Sequence, residues 1–193
     1  MGIDYTVVIT QPWYYDIPTP AQVIEMVKAI LEMDLVSVEE ETPGPLGPLK
    51  TIVEIGDKRI TLIGKKEVDE RLIKEIEKWD GKTQPFCIHF PMVSPKLEAL
   101  LFAPPGIDPS SVVLQELSII IGSKEYPSVM LGETFFNEFF LTHFSIEINM
   151  RGSPWEHKEY IAKLQEEPLM KEIIKRLESI LGKELRIRPS VSF

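Results

Sequence analysis

The chain has 193 residues, a formal charge of −9 and a single cysteine. That length suits one large domain or two small ones, and a chain of about 150 residues already buries about 68–70% of its unfolded surface, so one core is within reach. The acidic balance argues against a nucleic-acid binder, because phosphate contacts need clustered Lys and Arg, and against an electrostatic grip on anionic lipid.

Tyr5 to Thr10 is β-branched and reads as a strand, with Val7, Val8 and Ile9 apolar on both faces. The loop 11–18 carries Trp13, Tyr14, Tyr15 and Asp16. Thr19-Pro20-Ala21-Gln22 then supplies a helix start: a capping hydroxyl, a proline at the first helical position, and a side chain that reaches back. Val23, Val27, Ile30 and Leu31 form the apolar stripe of a helix ending near Asp34. Leu35 to Glu41 alternates as a strand would. The prolines Pro43, Pro45 and Pro48 exclude regular structure after it. Leu49 to Ile55 and Arg59 to Ile63 make a hairpin around Gly56-Asp57-Lys58. Val68, Leu72, Ile76 and Trp79 mark a second helix, stopped at Asp80-Gly81.

Pro85 to Phe90 is predicted as a strand with Phe86, Ile88 and Phe90 on one face and Cys87 and His89 on the other. A short helical turn fits Lys96 to Phe102. Val112 to Ile121 reads as a strand, with Ser128 to Leu131 as its partner. Phe135, Phe136, Phe139 and Phe140 keep helical spacing, after which Phe144, Ile146, Ile148 and Met150 keep strand spacing. Ser153-Pro154-Trp155-Glu156 repeats the helix-start chemistry of Thr19 to Gln22. Pro168 interrupts that helix. Leu169, Ile173, Leu177 and Ile180 form the next stripe, stopped by Gly182, and Glu184 to Arg188 is a last strand. The two Pro-started helices and the Ile-Gly-x-Lys turns at 55–58 and 121–124 hint at internal duplication, but caps and glycine turns recur for physical reasons alone.

Chemistry is sparse. The histidines are His89, His143 and His157, and none is spaced with another, or with Cys87, in a recognised metal-ligand pattern. Cys87 and His89 share a strand face, a pair read here as a buried thiol beside a satisfied imidazole. No phosphate-binding glycine loop and no nucleophile elbow is present. The Glu39–Glu41 and Glu166-Glu167 runs read as solvated faces. The most suggestive segments are Trp13, Tyr14, Tyr15 and Asp16 after the first strand, and Arg151, Trp155 and His157 after a later one. If those strands end side by side, the two loops converge on one aromatic surface with a polar anchor, since Trp, Tyr and Arg are common interface anchors.

The expectation is therefore an α+β fold: one compact domain over residues 1–193, with a mixed sheet and helices packed against it. The expected function is a non-catalytic binding or protein-interaction module. Its partner would be an unidentified protein or small molecule, with no nucleic acid, membrane, metal or cofactor. The alternative is a metal- or thiol-dependent enzyme using His89, His143, His157 or Cys87. One cysteine suits a reducing compartment. With no basic leader at Met1-Gly2-Ile3-Asp4-Tyr5 and no apolar run near the ~20 residues that cross a bilayer, the expected location is the cytoplasm.

Overall fold

A computed structural model of the protein describes residues 4–11, 17–39, 48–83, 85–122, 129–131, 134–136, 144–152 and 157–192. Strand β1 (Asp4–Thr10) leads to helix α1 (Pro20–Glu32). The capping box forms as the sequence predicts. The Gln22 amide donates to Thr19 Oγ1 at 3.2 Å, and the Thr19 amide donates to Gln22 Oε1 at 2.9 Å. At the other end of α1 the Lys96 ammonium donates to Met33 O at 3.0 Å, and the Ser94 hydroxyl donates to Asp34 O. This closes carbonyls that the helix leaves open.

Lys50–Ile55 (β2) and Lys58–Ile63 (β3) form the predicted hairpin, with Gly56 at φ 60° in its two-residue turn. The second helix begins earlier than its apolar stripe suggests. It runs through α2 (Gly64–Glu67), a π-helical segment (Val68–Leu72) and α3 (Ile73–Glu77) without a break. Val68, Leu72, Ile76 and Trp79 are all buried, and Trp79 stacks on Phe86 with ring centroids 4.2 Å apart. Phe86–Phe90 (β4) precedes α4 (Pro95–Phe102), which Ser94 caps. Val112–Ile121 is β5, Val129–Leu131 β6, Thr134–Phe136 β7 and Phe144–Gly152 β8. Helices α5 (His157–Glu166) and α6 (Pro168–Leu181) are broken at Pro168 as expected, and the proline also opens α6. Gly182, at φ 66°, closes α6 before β9 (Arg186–Ser192).

Among the described residues these strands make one nine-stranded sheet in the order β3-β2-β4-β5-β8-β1-β9-β7-β6. Every pairing is antiparallel except β7 with β9, so the sheet is mixed and the fold is α+β. One face carries Val7, Ile9, Val53, Phe86, Ile88, Phe90, Ile119, Ile146 and Ile148. These merge with Val23, Val27 and Ile30 of α1, Leu97 and Leu101 of α4, and Leu164, Ile173 and Leu177 of α5 and α6 into a single buried cluster. The Tyr160 hydroxyl adds a polar tie by donating to Leu101 O at 2.8 Å. No described helix is long and apolar enough to cross a membrane.

Three local expectations need correction. Leu35 to Glu39 is no strand; only an isolated bridge joins Val36 to Val93. The chain here follows α1 directly and, among the described residues, meets just this one short partner. Val129–Leu131 pairs with β7, not with β5, because β8 already occupies the edge of β5 that β4 leaves open. The aromatic block opens as a strand at Thr134–Phe136 where helical spacing was expected; Phe is compatible with both periods, and pairing with β9 decides. Phe139, Phe140 and the Ser153–Glu156 cap lie outside the described residues.

Two stability measurements follow. Thr19→Ala removes the Oγ1 acceptor that caps the Gln22 amide and is expected to cost about 1 kcal/mol. Phe90→Ala empties a fully buried site in the core and is expected to cost about 3–5 kcal/mol. Urea melts read both; a Phe90→Ala loss no larger than that of Thr19→Ala would contradict the packing.

Candidate functional site

Alternation along β4 sends Cys87 and His89 to the face opposite the helices. Directly paired residues of neighbouring strands point the same way, so the register identifies their companions. Glu54 and Ile52 of β2 lie opposite Cys87 and His89. Across β5 stand Ile120 and Ser118, then Ser145 and Glu147 of β8, then Thr10 and Val8 of β1. Asn149 and Thr6 form the next rung. The face opposite the described helices thus carries a polar row across five strands, and Arg186 and Arg188 of β9, paired with Thr10 and Val8, extend it to a sixth.

The row is connected. His89 Nδ1 lies 2.8 Å from Ser118 Oγ and 3.8 Å from Glu116 Oε1, and His89 Nε2 lies 3.8 Å from Glu54 Oε2. The Asn149 amide donates to Glu116 Oε1 at 2.9 Å, and the Thr6 hydroxyl donates to Asn149 Oδ1 at 3.1 Å. The Ser145 hydroxyl donates to Glu147 Oε1 at 3.1 Å, and the Thr10 hydroxyl to Phe144 O at 2.5 Å. Glu54, Glu116 and His89 keep part of their side chains in solvent, 36%, 33% and 23% respectively. Ser118 is 1% exposed and Cys87 is buried.

The field at this face is negative. Burial pushes the Cys87 thiol up to about 12, and the Glu54 and Glu147 carboxylates push the same way. Burial also raises Glu147 to about 7; the Ser145 hydroxyl opposes the shift and the Glu116 charge adds to it. These values decide what the cluster can do. A thiol held that high is almost wholly protonated at neutral pH and is a poor nucleophile. Ser118 touches an imidazole as a catalytic serine would, yet it lies sealed within the sheet, where no substrate carbonyl reaches it. Metal ligation is different. Glu54, Cys87 and His89 each offer one ligand atom, and these atoms lie within 4.8 Å of one another.

Most of the expected site residues are not described by the structure. Trp13, Tyr14, Tyr15, Asp16, Trp155 and His143 lie outside the described residues, as do the side chains of Arg151 and His157. The backbone nevertheless tests their convergence. β1 and β8 are neighbours but antiparallel, pairing Thr10 with Ser145 and Asp4 with Arg151. The segments that follow the two strands therefore leave opposite ends of the pair, separated by six strand rises or roughly 20 Å. The single shared surface expected of these loops assumed parallel strands, and that premise is corrected here. Sequence reasoning singled out Cys87 and His89 but missed Glu54, Glu116, Ser118 and Glu147. The alternation of β2 and β8 hints that Glu54 and Glu147 share faces with other polar residues; nothing local says which strands lie beside β4.

Compared with protein-family models, curated proteins and solved structures, the chain matches none.

The raised Glu147 carboxyl has a measurable consequence. Its folded-state value, about 7, lies above the ordinary 4.5, so the native state holds this proton more tightly than the unfolded chain does. The stability it contributes is full below pH 4.5 and is lost as pH rises through about 7. Glu147→Gln is expected to gain up to about 3 kcal/mol over the parent at pH 8 and little at pH 4, read from paired urea melts. An unchanged difference at the two pH values would contradict the placement.

Proposed function

We propose that the protein is a non-catalytic binding module of the cytoplasm, and that it presents the sheet face opposite its described helices to a cationic ligand. One observation carries this reading: three carboxyl groups, Glu54, Glu116 and Glu147, surround the part-exposed His89 and the buried Cys87, with Glu54 and Glu147 raising the thiol and Glu116 raising Glu147. A face of this kind attracts positive charge and repels phosphate. The net charge of −9 acts in the same direction. Support for binding over catalysis comes from the two nucleophile candidates, a serine sealed in the sheet and a thiol that stays protonated. The cytoplasmic location rests on the single cysteine. The reading draws on neither the Trp13–Asp16 nor the Arg151–His157 segment.

The test combines binding and turnover on the purified chain. Spermidine, arginine methyl ester and zinc chloride are titrated in turn while backbone amide resonances are followed. Shifts at Glu54, Cys87, His89 and Ser118 with cations, and none with inorganic phosphate or ATP, are expected. Ester, phosphate-ester and peptide substrates, offered with and without zinc, are expected to be left intact. Turnover that disappears in Cys87→Ser or His89→Ala would make the protein an enzyme and overturn the reading.

A further inference from the structure

We propose that Glu54, Cys87 and His89 form a site for a thiophilic divalent cation, zinc being the archetype, with a carboxylate oxygen, Cys87 Sγ and His89 Nε2 as three ligands and solvent as the fourth. The inference rests on the binding reading above and names the ligand class of that same face.

The geometry comes from two adjacent strands. Cys87 and His89 are spaced by two on β4, so both side chains leave the same face, and Glu54 enters from β2 directly opposite Cys87. All three ligand atoms fall within 4.8 Å of one another. The Glu54 Oε2 to His89 Nε2 gap, at 3.8 Å, is too long for a hydrogen bond. It is close to what a shared ion needs. Bonds of about 2.0–2.1 Å to each atom at a tetrahedral angle place nitrogen and oxygen about 3.4 Å apart. A small turn of the part-exposed Glu54 side chain closes the difference.

His89 is already oriented for this role. Its Nδ1 sits 2.8 Å from Ser118 Oγ, and with Nδ1 protonated and donating to that oxygen, Nε2 keeps its lone pair on the Glu54 side. Metal-bound histidines are held in this manner, the second ring nitrogen fixed by a polar partner. Electrostatics favour the ion too. A divalent charge at this position stabilises the thiolate that binds it. On binding, the Cys87 sulfur forms its bond to the metal and its proton passes to solvent. A sulfur, a nitrogen and an oxygen donor together suit zinc or cobalt and disfavour magnesium and calcium, which take oxygen donors. The exposed portions of Glu54 and His89 give the ion its route in.

Cobalt(II) is the probe, added to the full chain and followed by absorbance, with zinc competing. One cobalt per chain, a thiolate-to-cobalt charge-transfer band, displacement by zinc and no displacement by magnesium are expected. Cys87→Ser should abolish the band. Glu54→Gln, isosteric and part-exposed, should weaken zinc binding at least about tenfold. Glu25→Gln, on the exposed side of α1, should change nothing. Circular dichroism and melting confirm that each variant is folded, and Glu54→Gln carries the test alone if Cys87→Ser does not fold. No saturable cobalt binding, or the parent spectrum and affinity retained in Glu54→Gln, would overturn the site. If cobalt fails while organic cations still shift the Glu54 and His89 amides, the metal is wrong and the binding reading stands. Turnover dependent on Cys87 or His89 would instead remove the binding reading.

Discussion

Phe86, Ile88 and Phe90 are sealed between the sheet and the helices above it, and strand side chains alternate, so Cys87 and His89 must emerge on the other side. The rest of the structure follows from that burial. β4 is bordered by β2 and β5, and each of those strands also commits its apolar residues to the helix side: Val53 in β2, Leu117 and Ile119 in β5. The remaining positions, Glu54, Ser118 and Glu116, are thereby delivered to the face where Cys87 and His89 already stand. A slip of one residue in either pairing would bury Glu54 under the helices and expose Val53, at a cost in both desolvation and lost burial.

That arrangement has an electrostatic cost which the polar row only partly offsets. Hydrogen bonds from Ser145 to Glu147 and from Asn149 to Glu116 give the carboxylates donors, but Glu147 remains well above its ordinary value. A sheet stabilised purely for folding would place Val or Thr at such positions. Three carboxyl groups instead gather about one imidazole and one thiol, while Arg186 and Arg188 of β9, on the same face, stand two strands beyond Glu147. The proposed cationic ligand and the proposed metal site both draw on those carboxyl groups.

The parts of the fold that depend on neighbours in sequence were legible. The Thr19–Gln22 box, the Gly56 hairpin, the helix break at Pro168 and the Gly182 stop all work through atoms within a few residues of each other. The alternation of Phe144, Ile146, Ile148 and Met150 announced β8 and its buried face. Where local preference is divided, reading failed. Phe135 and Phe136 fit a helix or a strand equally, and pairing with β9 made them strand. Leu35 to Glu39 alternates, yet alternation without a neighbouring strand yields only the Val36–Val93 bridge.

By itself the sequence determined the class of fold, most element positions, the inward faces of the strands, and the fact that Cys87 and His89 share a side. Those are consequences of hydrophobic period, turn chemistry and capping, which act over a few residues. Tertiary structure alone decided that β8 runs antiparallel beside β1, which parts the segments after Thr10 and Gly152, and that Glu54 stands opposite Cys87 from a strand more than thirty positions earlier. Strand order and direction are set by how the whole sheet buries its apolar face beneath five helical segments, and no short stretch of chain contains that information.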